Sequence, residues 1–237
     1  MNEFSHRGKN KKQFVQKMFD DISGKYDFLN HLLSLGIDFY WRRILVKRLK
    51  IEDGQNILDV ATGTGDVGFA ILKHHDVNII GLDYSFKMLK HAQTKALAKL
   101  NDKNFTFVQG DAEKLPFKDN SFDALTISYG FRNIGYFEDA MSEFYRVLKP
   151  NGICAILEFQ EPKNKIFSKL YTFYFKYILP RVGAFFARSD AYRYLPESVQ
   201  NFLNRHEMLD LMAEKGFLDA QVEDLTFGVT SIFTAKK

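Results

Sequence analysis

Four places in this chain carry residue types whose spacing can do chemistry. Ile57-Leu-Asp-Val-Ala-Thr-Gly-Thr-Gly-Asp-Val-Gly68 reads as a strand running into a glycine-rich turn and then a helix, which puts a ligand at the carboxyl end of a strand. Gly63 and Gly65 allow the backbone to approach that ligand, and the following helix offers unpaired N–H groups to a carboxylate or phosphate. As a string, Gly63-x-Gly65-x-x-Gly68 also fits the dinucleotide fingerprint, so alone it decides little. Asp83 ends the next apolar run, 20 residues after Gly63, where an acid can accept both hydroxyls of a ribose. Asp111 follows a third such run and Gly130-Phe-Arg-Asn133 a fourth. Asp66 suits the start of a helix better than catalysis.

Nicotinamide dinucleotides and S-adenosylmethionine both contain adenosine, so Asp83 does not separate them. The stretch Gln109-Gly-Asp-Ala-Glu-Lys-Leu-Pro-Phe-Lys-Asp-Asn-Ser-Phe-Asp123 resembles the adenine-binding and fourth-strand region of class I methyltransferases. That resemblance implies that Asp111 takes the adenine amino group and that the N–H of Ala112 meets a ring nitrogen. Singly, Asp83 or Asp111 could be a loop or helix-cap carboxylate; the glycine turn at this spacing argues against that for the set.

The resemblance then narrows to the menaquinone and ubiquinone biosynthesis C-methyltransferases, of the demethylmenaquinone methyltransferase type, from about Lys17 to Thr234. It is carried by Tyr26-Asp-Phe-Leu-Asn30, Ser34-Leu-Gly-Ile37, Trp41-Arg-Arg43, Gly130-Phe-Arg-Asn133, Tyr145-Arg-Val-Leu-Lys-Pro150, Leu157-Glu158 and Ser189-Asp-Ala-Tyr-Arg-Tyr-Leu-Pro-Glu-Ser198. Four positions depart from the family: Leu29 replaces a methionine, Asp38 a histidine, Asn151 a glycine and Gln160 a serine. Leu29 and Asn151 are tolerable changes of packing and turn chemistry. Asp38 and Gln160 alter polarity close to the expected site.

What the resemblance implies is S-adenosylmethionine-dependent methylation of a ring carbon of a prenylated quinol, demethylmenaquinol becoming menaquinol. A 2-methoxy-6-polyprenyl-1,4-benzoquinol is the additional or alternative substrate. Implied cofactor-binding residues are Gly63, Thr64, Gly65, Asp83, Asp111, Ala112 and Ser128, and implied catalytic residues are Arg132 and Asn133. An oxidoreductase using a nicotinamide cofactor and a noncatalytic quinone-binding protein are the rival readings.

A sulfonium is already an activated electrophile, so methyl transfer needs no metal, and no His/Cys/Asp cluster has ligand spacing. A quinol carbon becomes nucleophilic when a ring hydroxyl, of pKa ~10, ionises. The site must lower that pKa or provide a proton acceptor. The family resemblance points the residues after the fourth strand toward substrate. Arg132 is a poor literal base, its pKa exceeding ~12; the expectation is that it stabilises the developing phenolate through an ordered water, with Asn133 orienting it. A structural salt bridge for Arg132 and a turn cap for Asn133 are the alternatives. Tyr26, Asp27 and Asn30 are candidates for a lid over the cofactor, and His31 is the one histidine to test as a base, against a plain surface position.

These residues need elements to hold them. Residues 14–49 read mainly as helix with a break near Ser23-Gly24. Strands are predicted at 56–60, 78–83, 105–109, 122–128 and 153–159, with helices at 65–75, 86–100 and 138–148, the last stopped by Lys149-Pro-Asn-Gly152. This alternation predicts an α/β fold with a parallel sheet covered on both faces. A helix at 207–215 and a strand pair at 220–225 and 230–235 close the sheet edge in antiparallel fashion. Together with the resemblance, the expectation is a Rossmann-like class I methyltransferase with a mostly parallel seven-stranded sheet, an antiparallel C-terminal strand and an N-terminal helical lid. The divisions expected within one domain are a basic tail (1–17), lid (18–50), cofactor core (51–160), insertion (161–205) and closing unit (206–237).

With 237 residues, 46% of them apolar, the chain can bury one large core. The net charge of +4 equals the excess of Arg7, Lys9, Lys11, Lys12 and Lys17 over Glu3. The remainder is near neutral, which argues against a nucleic-acid partner. The tail itself reads as frayed and solvated, with an anionic-lipid contact as the alternative. Cys154, the single cysteine, fits a buried thiol in a reducing cytoplasm. The N-terminus has no following apolar segment of the signal type, and no run approaches the ~20 apolar residues that span a bilayer. The insertion is rich in aromatic residues, among them Phe167, Tyr171, Phe173, Phe175 and Phe186, interleaved with Lys169, Lys176, Arg181 and Arg188. It suits a prenyl-tail pocket and peripheral contact with the inner face of a membrane; a homodimer interface or plain packing is the alternative.

Overall fold

The computed structural model of the protein describes residues 7–34, 36–99, 104–163 and 191–237. Five short apolar runs form parallel strands β1 (Asn56–Val60), β2 (Asn78–Asp83), β3 (Phe105–Gln109), β4 (Phe122–Ser128) and β5 (Leu148–Phe159). Two more, β6 (Leu218–Leu225) and β7 (Thr230–Lys236), complete a sheet of order β3-β2-β1-β4-β5-β7-β6. β7 runs antiparallel to both β5 and β6. The chain leaves β1 toward β2 on one side and later returns to place β4 on the other, so the strand order reverses at the carboxyl ends of β1 and β4. Such a switch point opens a crevice for ligands.

The eight helices that the described residues form are α1 (Gly8–Ile22), α2 (Tyr26–Leu33), α3 (Asp38–Arg48), α4 (Asp66–Leu72), α5 (Phe86–Lys99), α6 (Phe137–Val147), α7 (Ala191–Gln200) and α8 (Arg205–Glu214). Helices cover both faces, which is why the central strands read as near-continuous apolar runs. Met141, Phe144 and Met212 pack with Leu125 and Phe233 on one face; Trp41, Leu45 and Ile71 pack with Ile57 and Leu157 on the other. None of the helices among the described residues is long and apolar enough to cross a membrane.

Three local readings differ from the structure. α6 stops at Val147, because Leu148 already pairs with Phe122; the register then shifts before Ala124 meets Ile153. Asn151 takes φ 65° in that turn, a conformation asparagine tolerates. α8 begins before Glu207, because Asn204 accepts from the N–H groups of His206 and Glu207 while Glu207 Oε2 accepts from the N–H of Asn204. The residues expected to fray as a basic tail are helical from Gly8 onward. Charge counting hides this, because two of the lysines have built acceptors: Lys11 is 2% exposed and donates to the carbonyl of Ile134 at 2.8 Å, and Lys12 is paired as described below. The predicted break at Ser23-Gly24 is a 3-10 turn over Ser23–Lys25, and a second break at Gly36 (φ 77°) separates α2 from α3. The aromatic part of the insertion, 164–190, with the prenyl-tail reading placed on it, lies outside the described residues.

Candidate active site

A cleft opens at the carboxyl ends of β1, β2 and β4, the position at which open α/β sheets bind their ligands. Gly63, Asp83, Asp111, Ala112, Ser128 and Asn133 line it, and α1 roofs it with Lys12, Val15, Gln16 and Phe19 beside Tyr26. Thr64, Gly65 and Arg132 lie outside the lining.

The glycine turn is fixed from below. Thr62 Oγ1 donates to Asp59 Oδ2 at 2.6 Å, and the N–H of Gly65 donates to the carbonyl of Thr62. Gly63 (φ 57°) and Gly65 (φ 85°) are left-handed, which favours glycine. A Cβ on Gly63 would meet nothing nearer than the Tyr26 ring at 3.8 Å, so this backbone is open to a ligand. A Cβ on Gly65 would press on Phe69 and Phe105 at 3.0 and 3.3 Å, making Gly65 a packing glycine. Burial pushes Asp59 up to about 7.

Asp83 joins two elements. Its Oδ2 accepts from the N–H of Gly63 and its Oδ1 from that of Ser85, both at 2.8 Å. Burial raises its pKa to about 6, against these hydrogen bonds. A carboxylate has about four acceptor sites, so acceptor capacity remains beyond these backbone donors. Asp111 Oδ1 accepts from the N–H of Glu113 at 3.0 Å, and its Oδ2 lies 2.6 Å from Lys12 Nζ.

Thr64 and Asp66 serve a charged network. Thr64 Oγ1 donates to Asp27 Oδ1 at 2.5 Å. Lys95 Nζ lies 2.7 Å from Asp27 Oδ2 and 2.6 Å from Asp66 Oδ1. Lid helix α2 is thereby tied to the glycine turn and to the first residue of α4. Tyr26 faces the cleft, and burial raises its pKa.

Arg132 and Asn133 occupy a 3-10 turn directly after β4. Asn133 Nδ2 donates to the carbonyl of Tyr129 at 3.3 Å. Its Oδ1 is buried with no hydrogen-bond partner among the described residues. The guanidinium of Arg132 lies outside the cleft lining: Nη1 donates to Glu158 Oε1 and to the carbonyl of Tyr129, each at 2.6 Å, and its buried Nε has no hydrogen-bond partner among the described residues. Burial alone would lower its pKa, but the charge and hydrogen bond of Glu158, together with Tyr194 and Tyr26, raise it above the ordinary value. The alternative salt-bridge reading describes this side chain, because Glu158, 0% exposed, needs a cation beside it.

His31 Nδ1 lies 2.7 Å from Asp38 Oδ2, and its ring stacks on Phe39 outside the cleft lining. The two departures in polarity are buried and structural. Asp38 also accepts from Ser34 Oγ and Arg42 Nη2, and Gln160 Nε2 donates to the carbonyl of Leu203. Sequence reading missed Lys12 and Glu113 as parts of the site. Lys12 stands 99 residues from Asp111, so no local spacing could have paired them.

A reversed parallel sheet closed by an antiparallel β7, a glycine turn after β1 and acids after β2 and β3 define a class I S-adenosylmethionine-dependent methyltransferase. The open Gly63 backbone and the spare acceptor sites of Asp83 fit that cofactor. Solved structures agree on the fold: the [4+2]-cyclase SpnF (TM-score 0.74, 16% identity, covering 99% of this chain and 98% of that one) and a SAM-dependent methyltransferase from Aquifex aeolicus (TM-score 0.61, 18% identity, 82% and 88%).

The chain belongs to the ubiE/COQ5 methyltransferase family, whose profile matches residues 7–237. It is 42% identical to the ubiquinone/menaquinone biosynthesis C-methyltransferase UbiE of Geobacter sulfurreducens, over 94% of this chain and 88% of that protein. It is 40% identical to the demethylmenaquinone methyltransferase of Chlorobaculum tepidum, over 94% and 92%. Family membership sets aside the nicotinamide-dependent oxidoreductase reading.

Proposed function

We propose that the protein methylates a ring carbon of demethylmenaquinol, giving menaquinol, at the cleft between the glycine turn and Asn133. The observation that carries this reading is the buried, unpartnered Oδ1 of Asn133 on a residue lining the cleft. A buried acceptor without a partner costs ~1–3 kcal/mol, a cost that a hydroxyl-bearing ligand removes. The names of the relatives at 40–42% identity supply the quinol.

When bound, S-adenosylmethionine supplies an electrophilic methyl group on a sulfonium. Asp83 accepts the ribose hydroxyls, Asp111 and the N–H of Ala112 hold the adenine, and Gly63 and Ser128 shape the wall. Thr64 and Gly65 act one step back, Thr64 by tying the turn to α2 and Gly65 by packing it. Asn133 Oδ1 accepts the hydrogen bond of a quinol hydroxyl, which orients the ring carbon toward the methyl group. Arg132 acts through its bonds to Glu158 and Tyr129, which hold the turn that presents Asn133. α1 and Tyr26 cover the cleft and exclude water, which strengthens each of these polar contacts.

Peripheral membrane contact belongs to the same proposal, because a prenylated quinol is a lipid. Phe39 and Tyr40, 59% and 52% exposed, lie beside exposed Arg43 and Lys47 on α3 and suit an anionic surface. The deciding experiment offers demethylmenaquinol and a 2-methoxy-6-polyprenyl-1,4-benzoquinol side by side to the purified protein. Preferential methylation of demethylmenaquinol is expected; turnover of the benzoquinol alone would move the protein to ubiquinone synthesis.

A further inference from the structure

We propose that Lys12 is a cofactor-positioning residue: from α1 it holds the Asp111 carboxylate oriented to read the amino group of adenine. The proposal rests on the reading of Asp111 as the adenine acceptor. Lys12 Nζ lies 2.6 Å from Asp111 Oδ2 and 2.5 Å from Glu113 Oε2, with the lysine side chain only 17% exposed.

Glu113 is a fixed anchor. Its side chain is 7% exposed, and its Oε1 accepts from the N–H groups of Gly135 and Tyr136 at 2.8 and 3.0 Å. Oε2 is left for Lys12. α1 is fixed as well: the N–H of Gly8 donates to the carbonyl of Gly135, Lys11 to that of Ile134, and Ser85 Oγ to Asp20 Oδ1 at the far end of the helix. Lys12 is therefore a peg between an immobile carboxylate and one that must be aimed. Among the described residues, the donors to the Asp111 carboxylate are Lys12 and the backbone N–H of Glu113.

The charge matters as much as the reach. Asp111 and Glu113 share one ammonium, which offsets the repulsion between the two carboxylates and fixes the direction in which Asp111 Oδ2 points. Burial alone would lower the pKa of Lys12, but its hydrogen bonds to Asp111 and Glu113 raise it above the ordinary value, so the peg stays charged. Discrimination of a 6-amino from a 6-oxo purine thus depends on a helix distant in sequence.

The test is calorimetric binding of S-adenosylhomocysteine and S-inosylhomocysteine to the full chain. Wild type is expected to prefer the adenosyl ligand ~10–100-fold, the scale of one hydrogen bond to a charged group. Lys12→Met is expected to bring that preference close to unity. A helix that merely packs would weaken both ligands alike, so an unchanged preference in Lys12→Met overturns the proposal. If Lys12→Met does not fold, Lys12→Gln, which keeps a donor but no charge, is expected to reduce the preference, and a wild-type ratio overturns the proposal equally. Asp111→Asn separates the two layers. A preference that survives in Asp111→Asn overturns the adenine reading and this proposal with it; a preference lost in Asp111→Asn but kept in Lys12→Met overturns the role of Lys12 alone.

Discussion

Arg132 gives two hydrogen bonds to one carboxylate: Nη1 to Glu158 Oε1 at 2.6 Å and its backbone N–H to Oε2 at 3.1 Å. The pair fixes the turn after β4 from both its side chain and its main chain, so Asn133 inherits its position from Glu158 on β5. Glu158→Ala leaves a buried guanidinium unpaired and is expected to cost ~3–5 kcal/mol of stability, read by urea unfolding. Arg132→Lys keeps the charge and should fold, but loses the planar geometry; kcat should fall while the Kd for S-adenosylhomocysteine stays near wild type. An unchanged kcat would detach the turn from the chemistry.

Asp83 gives the cofactor a pH dependence. Ribose hydroxyls donate to the ionised carboxylate, so affinity for S-adenosylhomocysteine should drop as pH falls through about 6. The stability of the free protein should carry the opposite contribution. A folded-state pKa raised above the unfolded value of 3.8 stabilises below that value and loses its effect as pH rises through about 6. Asp83→Asn should flatten the binding profile and weaken affinity by ~1.5–3 kcal/mol. Calorimetry that finds no such pH dependence in wild type would remove Asp83 from the ribose.

Gly68 completes the glycine string but lies outside the cleft lining. A Cβ there would lie 2.3 Å from Phe105 Cζ and 2.5 Å from Cε1. Gly68→Ala is expected to cost ~1–3 kcal/mol by overpacking, with Phe105→Leu recovering part of it in the double variant. Thermal unfolding that shows no loss would mean that the ring moves freely.

Lys11 is buried with no carboxylate in contact among the described residues, and burial lowers its pKa from 10.5 to about 8. The folded state binds this proton less tightly than the unfolded one. Its contribution is therefore favourable above 10.5 and is lost as pH falls through about 8. Lys11→Met should raise the urea midpoint near neutral pH, and the gain should shrink between about 8 and 10.5. Destabilisation at neutral pH would show that the bond to the Ile134 carbonyl outweighs the buried charge.

The core of the fold was legible because doubly covered strands leave apolar runs of five to seven residues: β1 through β4 lie where periodicity puts them. The glycine turn and the acids after β2 and β3 were legible for the same local reason, each standing at the end of a run. Side-chain partners were not. The bond from Arg132 to Glu158 spans 26 residues and that from Lys12 to Asp111 spans 99, and neither leaves a periodic trace. Thus the first half of α1 looked like a solvated basic tail, and the salt bridge of Arg132 stood only as an alternative with no named partner.

The most direct test of the account is single-turnover transfer from S-adenosylmethionine carrying a ¹³C-methyl group to demethylmenaquinol, with the product read by NMR. The account predicts one labelled methyl on a ring carbon for each S-adenosylhomocysteine formed, and loss of that signal in Asn133→Ala at near-native cofactor affinity. Label on a quinol oxygen as a methoxy group, or no transfer by a protein that binds both ligands, would contradict it.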